Sequence, residues 1–367
     1  MHYQKEFQNY EQKLSFLMEQ AEKIIVGISI GDLNGIGSEI VLKTFEDPRV
    51  LDFCTPVIFA SAKVMNFFKT HFKSKINFNN INNINQLSHK KVNVVNCWTE
   101  NVNIQFGKED TKIGAFAIKS LEAATKALKN NEIHVLVTAP INKHNIQSDD
   151  FKFPGHTDYL AQELEGESLM FMITDTLRVG LLTDHVPVKE VSTHITAELI
   201  EQKINTVHTS LKKDFNIQRP KIAVLGINPH TGDNGVIGTE DDDVLRPTLH
   251  KIKENGTLVF GPYAADSFFG SNNYKNFDAI IASYHDQGLI PFKTLSFGQG
   301  VNYTAGLHKV RTSPDHGTAY EIAGKGTADE NSFKEAVFSA IKIYKNRMSY
   351  QQLTANPLKK SPRKVRR

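Results

Sequence analysis

Three histidines each follow an apolar run. After "LRVGLLT" comes "DHVPV" with His185, after "PKIAVLG" comes "INPHTGDNG" with His230, and after "FDAIIAS" comes "YHDQG" with His285. In an open α/β sheet ligands bind beyond the carboxyl ends of strands, and each of these imidazoles follows its strand within about five residues, at equivalent places. Neutral imidazole is the commonest metal ligand, and three of them leave positions open on a catalytic divalent ion for substrate or water. Asp184, Asp233 and Asp286 stand beside or near these histidines and could orient the rings. Taken singly, each histidine is as well explained as a satisfied loop residue. Spacing leaves open whether the three loops converge.

A second set suits anions. "FPGHTDYL" offers His156 and Thr157, "TAPINK" offers Lys143, "IPFK" offers Lys293, "GQGVNYTAG" offers Asn302 between glycines, and "VRTSPDHGTAYEIAG" offers Arg311 and then a loop entering a helix. Cationic side chains, hydroxyls and free backbone N–H groups are what phosphates and carboxylates require. One lysine or arginine alone is an ordinary solvated charge; the weight lies in their company. The turn "GDLNGIG" is G-x-x-x-G-x-G and not the G-x-G-x-x-G of a dinucleotide fold, so it establishes only a tight strand-to-helix turn.

The elements that must carry these residues alternate. Strands are expected at "KIIVGISI" (23–30), "PVIFA" (56–60), "IHVLVTAP" (133–140), "SLMFMIT", "LRVGLLT", "PKIAVLG" and "FDAIIAS". A helix that Ser38 could cap follows the first. Further helices are expected over 111–130 and about 196–213, 240–254, 316–324 and 330–347, with irregular loops and short strands in the Asn-rich stretch 76–104. Such alternation argues for α/β architecture with largely parallel, covered sheets. Residues 3–22 read as an amphipathic helix that packs on the body or on a second subunit, and not as a secretory signal.

At 367 residues, the chain has room for two domains of ~100–200 residues. Hydrophobic residues make up 40% and no run approaches the ~18 apolar residues of a membrane span. Two cysteines, Cys54 and Cys97, exclude a disulfide framework and suit a reducing cytoplasm. The tail "KKSPRKVRR" holds six of the basic residues; without it Lys+Arg falls from 43 to 37 against 40 Asp+Glu. The body is therefore weakly acidic and gives no reason to expect nucleic acid, and the tail reads as a frayed, solvated terminus.

Taken in order, "GDLNGIGSEI", "TAPINK", "GHTDYL", "TDHVPV", "INPHTGDNGVIGTE", "GPYAADSFF", "YHDQGLIPFK", "GVNYTAGL" and "VRTSPDHGTAYEIAGKGTAD" closely resemble the 4-hydroxythreonine-4-phosphate dehydrogenase family of pyridoxal 5′-phosphate biosynthesis, from about residue 24 to about 348. The resemblance implies two α/β/α domains with a cleft between them, like isocitrate and isopropylmalate dehydrogenases. The expected division is 1–23 as an N-terminal helical extension, 24–140 plus 288–348 as a discontinuous domain with cofactor-binding loops, 141–287 as a second domain with the metal ligands and dimer contacts, and 349–367 as a basic flexible tail.

It also implies a cytoplasmic homodimer with the active site at the interface, NAD or NADP as cofactor, and one divalent metal (Zn, Co or Mg). His185, His230 and His285 would bind that metal, with one donated by the partner chain: His185 or His230 on one side and His285 on the other. His156, Thr157, Lys293, Asn302 and Arg311 would bind the phosphorylated substrate. Asp266 and Asp286 match acidic positions near its amino group, and Lys293, Asp266 or Asp286 would relay the proton. The chain departs from the family at Leu33-Asn34 (usually Pro-Ala), Ile141-Asn142 (usually Val-His) and Pro314 (usually Val). Two other readings stay open: a dehydrogenase of a related four-carbon sugar acid, threonate or erythronate 4-phosphate, and a metal-dependent phosphohydrolase.

Overall fold

The computed structural model describes residues 23–149, 151–153 and 155–357. The expected helix over 3–22 lies outside them. Twelve strands form one mixed sheet: β1 Ile24–Ser29, β2 Cys54–Ala60, β3 Phe78–Ile81, β4 Val92–Asn96, β5 Val135–Thr138, β6 Gly166–Ile173, β7 Arg178–Leu181, β8 Lys221–Leu225, β9 Leu258–Tyr263, β10 Ala279–Ala282, β11 Val301–Leu307 and β12 Val310–Pro314. Their order is β3-β4-β2-β1-β5-β12-β11-β6-β7-β10-β8-β9. The longer helices are α1 Gly37–Glu46, α2 Ala62–His71, α3 Thr111–Lys129, α4 His156–Glu163, α5 Ala197–Lys213, α6 Arg246–Glu254, α7 Ala265–Gly270, α8 His285–Ser296 and α9 Asn331–Thr354.

Runs such as "VLVT" and "AIIA" are buried along their whole length, which suits strands covered on both faces. The sheet holds two parallel blocks. One runs from β3 to β12, the other from β7 to β9. Between them, β11 is antiparallel to β12 and β6, and β6 is antiparallel to β7. Helix α3 is capped by Asp110, whose side chain accepts from Lys112 N. It buries Ile113, Leu121, Ala124 and Leu128 against the sheet.

Several expectations change. Ser38 does not cap α1: it lies inside the first turn, its buried Oγ has no partner, and Ile36 is the N-cap residue. No helix forms over 316–324. Ala319 (φ 42°) and Gly324 (φ 77°) reverse the backbone hand, and successive short turns result. β9, β11 and β12 were not among the expected strands, and the last two are central ones. The helix α9 continues to Thr354, so the tail expected from 349 begins later, and its residues from 358 lie outside the described ones. Helix α8 runs across the expected boundary at 287/288.

Candidate active site

β7, β10 and β8 are adjacent and parallel, so their carboxyl ends project together. Hydrogen bonds tie those ends. Thr183 N and Oγ1 both donate to Ser283 O, at 3.2 and 2.8 Å. Ser283 Oγ lies 3.2 Å from both Leu225 O and Gly226 O, and Gln287 Nε2 donates to Gly226 O at 2.8 Å. The three histidine loops therefore grow from one cross-linked root.

From that root, His185 and His285 come together, their ring centres 5.9 Å apart. His285 Nδ1 lies 2.8 Å from Asp286 Oδ1. A carboxylate only accepts, so Nδ1 carries the hydrogen, and it is the neutral ring in this orientation that has its Nε2 lone pair free for a metal. His230 stands apart, exposed, in a loop where His230, Thr231, Asp233 and Asn234 all have positive φ. Buried Asp241 fixes that loop by accepting from Ile227 N and Asn228 N, each at 2.9 Å. Among the described residues no group of three His, Cys, Asp or Glu is close enough to hold one ion. The expected split set His285 apart; the geometry pairs His285 with His185 instead.

The paired imidazoles open onto a cleft of about 260 Å³ that also takes in His156, Thr157, Lys293, Asn302 and Arg311. His156 and Thr157 begin α4, Lys293 lies on α8, and Asn302 and Arg311 come from β11 and β12. Lys293 Nζ donates to Asp315 O at 3.0 Å. Arg311 is fully buried, and burial lowers its pKa to about 9. Burial, then the charges of Arg311 and Lys143, holds His156 well below its ordinary 6.5, so its ring is neutral. His156 Nε2, Asn302 Oδ1 and His316 Nε2 are buried without a partner. Buried polar atoms are nearly always satisfied, so three orphans on one cleft fit a polar ligand.

Residues 52–340 match the sequence model of the family described as "Pyridoxal phosphate biosynthetic protein PdxA". This chain belongs to the PdxA family. A relative named 4-hydroxythreonine-4-phosphate dehydrogenase, from Bacteroides thetaiotaomicron, is 47% identical over 343 residues, 93% of this chain and 94% of the relative. A crystal structure of 4-hydroxythreonine-4-phosphate dehydrogenase from Klebsiella pneumoniae aligns with a TM-score of 0.76 at 28% identity, covering 89% of this chain and 99% of that one. A relative from Oceanobacillus iheyensis, whose name points to D-threonate 4-phosphate, is 32% identical, covering 88% of this chain and 98% of its own length.

Not every residue expected in the PdxA site lines this cleft. His230 does not, nor do Asp266 and Asp286. Asp266 is exposed in the first turn of α7, and Asp286 is engaged with His285. The cleft's acidic residues are Asp158 and Asp315, which sequence reasoning passed over. It also passed over His316, although that residue follows β12 as the other histidines follow their strands. The polar run "VRTSP" hid the strand. The PdxA turn "GDLNGIG" is closed: a side chain at Gly31 would strike Pro140 O, and one at Gly35 would come 2.9 Å from Thr318 O. Asn34 is buried there. It donates to Lys108 O and accepts from Gln105 N, each at 2.8 Å, and so pins the 105–108 loop to the turn. Buried Asp32 accepts from Tyr320 Oη (2.7 Å) and Asn145 Nδ2 (3.2 Å), which joins the two loops flanking the cleft.

Proposed function

We propose that this chain oxidises 4-hydroxythreonine 4-phosphate at its secondary alcohol, with an oxidised nicotinamide dinucleotide, NAD or NADP, accepting the hydride. The product is a β-keto acid that loses CO₂ to leave 3-amino-2-oxopropyl phosphate. The observation that carries this reading is one cleft with paired imidazoles at one side and buried Arg311 with three unpartnered polar atoms at the other. Arg311, Lys293 and Lys143 balance the substrate's phosphate and carboxylate and fix its pose. His156, as a neutral ring, and Asn302 complete the polar contacts. Of the three groups considered for the proton, Lys293 is the one lining the cleft, and its Nζ passes the proton on.

His185 and His285, with His230 from a second copy, would hold a divalent metal, zinc or cobalt by ligand softness ahead of magnesium. Such an ion makes a bound hydroxyl more acidic, as zinc lowers the pKa of water from 15.7 to about 7. A second copy is supported by the exposed apolar Val188, Val236, Ile237 and Ile290, which stand on or beside the three histidine loops. The lobes taken with this reading are 24–140 with 288–348, and 141–287.

Neither Asp266 nor Asp286 lines the cleft to meet an amino group, which favours a second reading: a four-carbon sugar-acid phosphate such as D-threonate 4-phosphate. Reduced nicotinamide formed from each compound, with and without a chelator, separates them. The proposal expects chelator-sensitive turnover and the higher kcat/KM with 4-hydroxythreonine 4-phosphate. A higher kcat/KM with D-threonate 4-phosphate would overturn the substrate, and release of phosphate without reduced cofactor would overturn the reaction class.

A further inference from the structure

Two arginines are buried among the described residues to a similar degree, Arg311 at 2% and Arg347 at 6% exposure. They are treated oppositely. Arg347 has a carboxylate: its Nε donates to Asp214 Oδ1 at 2.6 Å, and its other contacts are Tyr303 Oη and His308 O. Burial lowers its pKa, but Tyr303 and Asp214 outweigh this and raise it. Among the described residues Arg311 has no acidic partner. Its Nε and Nη2 donate to Thr138 Oγ1 at 3.2 and 2.6 Å, and its Nη1 donates to Thr304 Oγ1 at 3.1 Å. β12 lies between β5 and β11, so the guanidinium has one hydroxyl on each flank. Three of its five N–H groups are used, which leaves one on each terminal nitrogen for a ligand.

A buried cation is normally paired, because leaving water is costly without a counter-charge. Arg347 follows that rule and Arg311 does not, and Arg311 lines the cleft. Hydroxyls can orient a guanidinium without cancelling its charge. A carboxylate would orient it and also compete with an incoming anion. We infer that Thr138 and Thr304 are positioning residues that hold Arg311 as an uncompensated cation, so that the substrate's phosphate or carboxylate supplies the missing counter-charge. This rests on Arg311 being a substrate group, as proposed above.

The test is the Michaelis constant for 4-hydroxythreonine 4-phosphate, kcat, and inhibition by inorganic phosphate, with thermal midpoints, in five variants. Arg311→Ala sets the reference. Thr138→Val and Thr304→Val should each raise KM by roughly ten-fold or more, since a hydrogen bond to a charged group is lost, with kcat within about two-fold. Thr304→Ser should restore KM. Thr304→Asp should fold with a thermal midpoint no lower than that of Thr304→Val, yet raise KM and weaken phosphate inhibition as much as Arg311→Ala. A merely structural threonine would move the midpoint and leave KM alone. If Arg311→Ala raises KM while the valine and aspartate variants bind as wild type does, the inference is wrong and the substrate role of Arg311 stands. If Arg311→Ala leaves both KM and kcat unchanged, the substrate role falls and the inference with it.

Discussion

His156 shows what a half-buried imidazole demands when its Nε2 is shut off from solvent. Burial and two nearby cations keep it neutral, so the native state binds fewer protons than the unfolded chain just below pH 6.5. Its contribution to stability is therefore complete above that value and is lost as pH falls through it. Thermal midpoints of the ligand-free protein taken from about pH 7 to about pH 5 should drop, and His156→Gln should flatten the slope. Replacing Lys293 by alanine should weaken substrate binding about 10- to 150-fold, the worth of a charge-assisted contact of roughly 1.5–3 kcal/mol, read from KM. Unchanged KM and kcat would remove Lys293 from the site. Asp286→Asn should lower zinc affinity about 10- to 100-fold without a change in circular dichroism, because Asp286 sets the His285 ring and its tautomer.

Elements set where those residues stand, and the close approach of α3 to the 142–146 turn is an instance. Gly114 faces Asn145 backbone so tightly that a Cβ there would overlap Asn145 O. In most helix interiors Gly→Ala stabilises. Here Gly114→Ala should destabilise by about 1–3 kcal/mol, through overpacking, and should disturb the turn that carries Lys143. A denaturant midpoint moving upward would contradict the packing.

Elements were also unequally legible in the sequence. "FDAIIAS" and "PKIAVLG" are apolar and bounded by turn residues, so the strand ends and their histidines could be read directly. β11 and β12 could not, because they carry Asn302, Thr304, Arg311 and Ser313, polar residues that pair with one another or face the cleft, the last three of them buried only once the chain has folded. The expected set His156, Thr157, Lys293, Asn302 and Arg311 shares one cleft, whereas Asp266 and Asp286 do not join it. Motif order carries residue types, but the facing of an exposed helix such as α7 depends on packing that no short motif encodes.

At the scale of the whole molecule, one buried network fastens the sheet to its outer helices. Asp214, at the end of α5, accepts from Ser210 Oγ, Tyr303 Oη and Arg347 Nε, all at 2.6 Å, and so joins α5, β11 and α9. Removing one partner leaves a buried charge alone, so Asp214→Ala should cost about 3–5 kcal/mol by chemical unfolding. The same scale holds the central question, because His230 stands outside the cleft that His185 and His285 share. If a second copy lends it, neither His230→Ala nor His285→Ala can complete a site alone. A mixed dimer has one site with both defects and one with none. The decisive measurement is metal-dependent formation of reduced nicotinamide from 4-hydroxythreonine 4-phosphate by the two variants, unfolded together and refolded. Each variant alone should be inactive, and the mixture should recover about a quarter of the activity of refolded wild type, the share of intact sites when subunits pair at random. No recovery, where refolded wild type regains its activity, would contradict a site built from two chains.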